Sequence, residues 1–173
     1  MSTADIARAF VIHLGLGGPE LVRLADEACE RGMRVIELDL QGLVDRSALV
    51  DYLARAFMFP HEIVGLDAAV DLISDLEWFG NFRGYLVLAR GVVGTTAVGE
   101  TFVSILPNIV DRWRSQSVPF VVAIDGEDER LQSVLASANR EMERAGKLAW
   151  AQPGTGPTEV VLHRGNGPRG AAG

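Results

Sequence analysis

Two short runs, Tyr85–Ala89 (YLVLA) and Phe120–Ile124 (FVVAI), are apolar at almost every position. A strand with two apolar faces needs cover on both. That is the environment of a parallel sheet with helices above and below it. Parallel pairing also demands connections long enough to hold a helix. The chain supplies them. Ala9–Leu14 (AFVIHL) and Met33–Leu40 (MRVIELDL) read as two further strands, and Glu159–His163 (EVVLH) as a final one. Between them lie segments with apolar residues at helical spacing.

The first helical segment, Glu20–Arg31, follows the turn Gly15–Gly18 and a Pro19 suited to the first helical position. Leu21, Leu24, Ala25, Ala28 and Cys29 form its apolar side, so Cys29 is expected to be buried, and Gly32 ends it. Asp45 can cap a second helix with Leu49, Tyr52, Leu53, Ala56 and Phe57 on its core face. Gly99–Ser115 is helical by spacing, with Pro107 predicting a kink or a late start. Glu127–Ala145 is helical, with Leu131, Val134, Leu135, Ala138 and Met142 on one face and Gly146 as its stop. Alternating strands and helices predict an α/β fold of three layers, a mainly parallel sheet flanked by helices. A chain of 173 residues holds one such domain, here residues 1–163, and the Gly-rich 164–173 reads as a disordered tail.

The stretch Phe57–Trp78 carries the strongest functional signal. It reads as a helix end, a loop led by Pro60, and a short acidic helix from Leu66. At about 100° per residue, Leu66, Ala69, Val70, Ile73 and Leu76 share one face, and Asp67, Asp71 and Asp75 form a stripe roughly opposite. Glu62 precedes this helix, Glu77 lies near its end, and no Lys or Arg occurs between Arg55 and Arg83. Asp67 gains from the helix dipole at the first turn. Asp71 and Asp75 do not, and each makes a like-charge i,i+4 pair costing about 0.2–0.5 kcal/mol. Local helix stability therefore does not account for the stripe. It is either a plain solvated face or a surface for a cationic partner.

Other chemistries are poorly supported. A net charge of −7 disfavours nucleic acid and anionic membranes as partners, since phosphate binding needs clustered Lys and Arg. No segment is long enough to span a bilayer. The N-terminus lacks the form of a signal peptide, and a single cysteine cannot form an internal disulfide, both of which suit the cytoplasm. Gly15 and Gly17 imitate a dinucleotide-binding turn, with Asp39 where a ribose-binding acid would lie, but Glu20 occupies the third glycine position. His13, His61 and His163 are dispersed and set no metal-binding spacing. His61 reads as a surface loop residue, and Trp78, Trp113 and Trp150 as packing residues. No cofactor, metal or catalytic residue is assigned.

The order of these segments resembles the barstar family of ribonuclease inhibitors. VIELDLQGLVDRSALVDYLARAFMFP is similar to that family's first strand, turn, first helix and Phe–Pro entry to its binding loop. LDAAVDLISDLEW is similar to its second helix, with an Asp-Ala-x-x-Asp signature, and GYLVLA and FVVAI follow as its remaining strands. The resemblance implies a family core over about 34–124, with 1–33 and 125–163 as added N- and C-terminal elements. It implies a non-enzymatic protein whose acidic loop and helix cover the cationic active site of a ribonuclease or ribonuclease-type toxin. Asp67 and Asp71 match the family's two helix aspartates. The partner-binding residues expected are Glu62, Ile63, Val64, Gly65, Asp67, Val70, Asp71 and Asp75. The loop His61–Gly65 departs from the family: it is short, with neither its aromatic pair nor its Asn. Val70 replaces a bulky aromatic, and the acid of the family's later helix has Asp111 and Arg112 as its nearest counterparts. These departures motivate an alternative reading, a diverged interaction module with a non-nuclease partner.

Overall fold

The computed structural model describes residues 10–80, 82–126 and 128–145. Strands β1 (Phe10–His13), β2 (Arg34–Asp39), β3 (Tyr85–Arg90) and β4 (Phe120–Ile124) form one sheet in the order β1-β4-β3-β2. Every pairing is parallel. Helix α1 (Gly18–Glu30) joins β1 to β2; α2 (Arg46–Ala56) and α3 (Leu66–Ile73) join β2 to β3; α4 (Ala97–Ser115) joins β3 to β4; and α5 (Glu129–Arg144) follows β4.

The doubly apolar runs sort by residue parity. Leu86 and Leu88 of β3, with Val121 and Ala123 of β4, pack under α1 beside Leu21, Leu24 and Ala28. Tyr85, Val87 and Ala89, with Phe120, Val122 and Ile124, face a larger core built with α2, α3, α4 and α5. The expected three layers follow. The family-like core runs from β2 to β4, and β1–α1 and α5 extend it. A Glu100–Arg130 ion pair ties α5 to α4.

Several expectations need correction. Cys29 is exposed. It lies about 80° around the helix from Leu21, past the edge of the stripe that Leu21, Leu24 and Ala28 bury. Pro19 is the second residue of α1, not the first, after Gly17 as N-cap. α4 does not start late: it begins at Ala97, capped by Thr96 Oγ1 accepting from Gly99 N–H at 3.0 Å. It runs its full 19 residues through Pro107. The lost hydrogen bond is outweighed by burial of Ile105, Leu106, Ile109 and Val110 around the proline. α5 starts at Glu129, because Asp128 caps it by accepting from Leu131 N–H at 2.7 Å. The expected strand Glu159–His163, the stop at Gly146, Trp150, the tail 164–173 and the start 1–8 lie outside the described residues. No helix among the described residues is long and apolar enough to cross a membrane.

Candidate functional site

The acidic face is built on a braced support. Phe57 closes α2 and is buried. Its carbonyl accepts the Trp78 indole N–H at 3.0 Å, and Phe59 meets the Trp78 ring edge-on at 6.0 Å. Phe59 N–H donates to Ala54 O at 2.9 Å. The loop entry is thus fixed at both ring and backbone before Pro60 releases the chain to solvent. At the far end of the loop Gly65 takes φ 88°, ψ 165°, a region open to glycine alone. That turn lets Leu66 drop into the core and start α3.

α3 buries Leu66, Ala69, Val70 and Ile73. It is shorter than the acidic stripe suggests. The helix ends at Ile73; Ser74 and Asp75 form a turn, and Leu76 adopts φ 49° to bury its side chain. Asp75 and Glu77 therefore stand beyond the helix, not on its last turn. A helix end leaves carbonyls without intrahelical donors. Here α4 and its C-cap supply the donors: Trp113 Nε1–H to Ile73 O at 2.9 Å and Gln116 Nε2–H to Ser74 O at 2.9 Å. Trp113 also stacks on Phe120 and lies against Tyr85. Sequence reasoning found Trp113 as an apolar packing residue, but nothing in the spacing reveals that its N–H holds the end of α3. Gln116 gave no signal at all.

On the outward side Glu62, Val64, Gly65, Asp67, Asp71 and Asp75 are exposed, Val64 almost wholly at 97%. Ile63 is half-buried against the core. Val70 is different: it is buried among core side chains, so it shapes the support and is not offered to a partner. Among the described residues Glu62, Asp67 and Asp75 make no ion pair. Asp75 raises the Tyr85 hydroxyl pKa from its ordinary value, second to burial of that ring.

Asp71 is not a bare carboxylate. Arg112 of α4 donates from Nη1 to Asp71 Oδ1 at 2.5 Å. The side chains remain 40% and 64% exposed respectively, so the pair contributes about 0–1 kcal/mol to stability. The neighbouring Asp111 points inward and is buried. Its charge supports Arg114, whose guanidinium pKa is lowered chiefly by burial. Neither position of the later helix presents an acid to solvent. The acidic face carries a cation at its middle aspartate.

The glycine turn after β1 is committed elsewhere. In a doubly wound sheet, ligands enter at the strands' carboxyl ends where successive crossovers leave on opposite faces. Here that point lies between β1 and β4. The two loops are joined across it by Gly15 N–H to Gly126 O at 3.2 Å and Leu16 N–H to Ile124 O at 3.1 Å. Gly17 N–H is taken by the Glu20 carboxylate at 2.8 Å. The amides of Gly15, Leu16 and Gly17 thus already have partners.

Comparison with known proteins agrees with this architecture. A family model described as "Barstar (barnase inhibitor)" matches residues 33–125, more than half of the chain, from the start of β2 to the end of β4. No curated protein sequence matches. Among solved structures, a chain of the Drosophila ORC bound to DNA is 15% identical over 75% of each chain, with a TM-score of 0.44. A chain of Drosophila ORC bound to GC-rich DNA and Cdc6 is 12% identical over 75% of this chain and 48% of that one, also at 0.44. Likeness at that level carries no argument. The family match spans the braced loop, α3 and the arginine-bearing α4; its members are non-catalytic proteins that bind barnase-type ribonucleases. On that match, and on the parallel β2–β3–β4 core that it covers, the chain belongs to the barstar (barnase inhibitor) family.

Proposed function

We propose that this chain inhibits a basic ribonuclease, or a ribonuclease-type toxin, by covering its cationic active site with the loop Glu62–Gly65 and the outward face of α3. One observation carries the reading. Glu62, Asp67, Asp71 and Asp75 are all exposed along one loop, helix and turn, while the buried side of that unit is held by Trp78, Trp113 and Gln116. A ribonuclease must be basic where it holds phosphate. Carboxylates on a pre-organised surface can take the place of the substrate's phosphates with little ordering cost. The Asp71–Arg112 pair does not prevent this. It is worth about 0–1 kcal/mol at such exposure, so a cation of the partner can compete for Asp71. Asp67 and Asp71 give the contacts to cations, Glu62 and Asp75 extend the field, and Val64 supplies apolar contact. The proposed setting is cytoplasmic.

A second reading, a diverged interaction module with a non-nuclease partner, rests on Arg112, which sets a cation on the surface a typical ribonuclease would meet. The test is inhibition of a panel of basic microbial ribonucleases at low and moderate salt. Stoichiometric inhibition that weakens with salt supports the first reading, because surface charge pairs fade as the Debye length falls to about 8 Å at 0.15 M. Unchanged affinity in the Asp67→Ala, Asp71→Ala double variant, against a partner already verified, sinks it in favour of the second.

A further inference from the structure

We propose that Arg112 determines which basic partner this face accepts, selecting a nuclease site that sets a carboxylate opposite Arg112 among its cations. The proposal rests on the loop and α3 face being the inhibitory surface. α4 brings Arg112 across 41 positions of sequence to the middle aspartate of the stripe. A guanidinium has five N–H donors, and the contact to Asp71 uses one of them. The side chain keeps 40% of its exposure, so water serves the remainder. A partner seated on Asp67, Asp71 and Asp75 displaces that water.

The guanidinium must then find acceptors or face the partner's cations. Asp71 then shares its two oxygens between Arg112 and the partner's own Lys or Arg, which sets the two cations against each other at one carboxylate. Like charges facing each other in a desolvated contact are the usual means of rejecting a wrong partner. An acceptor opposite Arg112 reverses the sign, and a carboxylate fits the guanidinium fork best.

Ribonuclease chemistry supplies that distinction. Cleavage needs a general base, which can be a carboxylate or an imidazole. A site with a carboxylate base holds an anion among its phosphate-binding cations; a site that uses imidazoles throughout holds none. Arg112 favours the first kind and rejects the second.

The experiment measures inhibition constants at one ionic strength for basic ribonucleases of both kinds. It uses the wild-type chain, Arg112→Gln, Arg112→Glu and, as a control on the face itself, Asp71→Ala. The wild type is expected to prefer carboxylate-base enzymes. Arg112→Glu is expected to lose at least tenfold on these and gain at least tenfold on imidazole-only enzymes, with Arg112→Gln between. A shift by the same factor on all enzymes means that Arg112 contributes only bulk charge, and overturns the proposal while leaving the inhibitory face intact. Asp71→Ala without effect on any enzyme that is inhibited removes the face. Failure of both the wild type and Arg112→Glu to inhibit any enzyme removes the inhibitor reading and this proposal with it. Because the ion pair is exposed, the Arg112 variants keep their fold, and matching melting curves verify this.

Discussion

Trp113→Phe tests whether α4 holds α3 in place. The phenyl ring keeps part of the stack on Phe120, whose ring lies 5.7 Å away and within 5° of parallel. Two things are lost. The Ile73 carbonyl at the end of α3 loses its buried donor, which costs about 1–3 kcal/mol when nothing replaces it. The missing part of the indole, in a side chain only 2% exposed, removes two or three buried carbon equivalents, about 2 kcal/mol at ~0.8 kcal/mol per buried CH₂. Allowing for relaxation of the core, we expect a loss of about 3 kcal/mol, or roughly 6–12 °C in Tm for a chain of this size. Urea unfolding followed by circular dichroism gives the global value. Amide hydrogen exchange gives the local one: amides of the last turn of α3, from Val70 to Ser74, should lose more protection than those of β3. Gln116→Ala removes the more exposed of the two donors and should cost only about 0.5–1.5 kcal/mol. A loss below about 1 kcal/mol for Trp113→Phe, with α3 exchange unchanged relative to β3, refutes the claim that the indole N–H secures α3.

Two further outcomes follow from the site. Gly65→Ala should cost about 1–2 kcal/mol, from backbone strain alone, because a Cβ there meets nothing within 4 Å while φ is +88°; a urea midpoint equal to wild type contradicts this. The Tyr85 hydroxyl has its pKa raised first by burial and then by Asp75. The unfolded chain therefore releases this proton at lower pH than the folded one, so stability is full below about pH 10 and falls as pH rises through and above that value. Tyr85→Phe should flatten the alkaline fall, Asp75→Asn should reduce it, and an unchanged pH profile in both variants counts against the assignment.

The layering was legible because it depends on local signals. Runs such as YLVLA and FVVAI state that both faces are buried, and residue parity alone then sends Leu86 one way and Val87 the other. The apolar stripe of α3 was legible for the same reason, down to Leu76 beyond the helix end. What escaped depends on contacts distant in sequence or on stripe width. Cys29 sits one step outside a narrow stripe, and periodicity does not define that edge sharply. The length of α3 was overread because Asp67, Asp71 and Asp75 keep helical spacing, although the backbone leaves the helix at Ser74 to bury Leu76. The stretch free of Lys and Arg suggested a purely anionic surface, yet the cation arrives from α4. No charge count over 56–82 could show Arg112 there.

That arrival separates two tasks that an acidic stripe would otherwise combine. A net charge of −7 and the exposed carboxylates act on an approaching cation from a distance. One guanidinium changes this field little, so under the proposed function capture of a basic ribonuclease is expected to be fast and salt-sensitive. Discrimination acts at contact, where water is gone and each donor needs an acceptor. There a single Arg112 outweighs its share of the total charge. Changes at Glu62 or Asp75 should therefore appear mainly in association rates, and changes at Arg112 mainly in dissociation rates and in the ranking of partners. On the proposed function, a face built this way would approach many basic proteins and retain few, and the residue that separates them would lie on α4, not on the acidic helix.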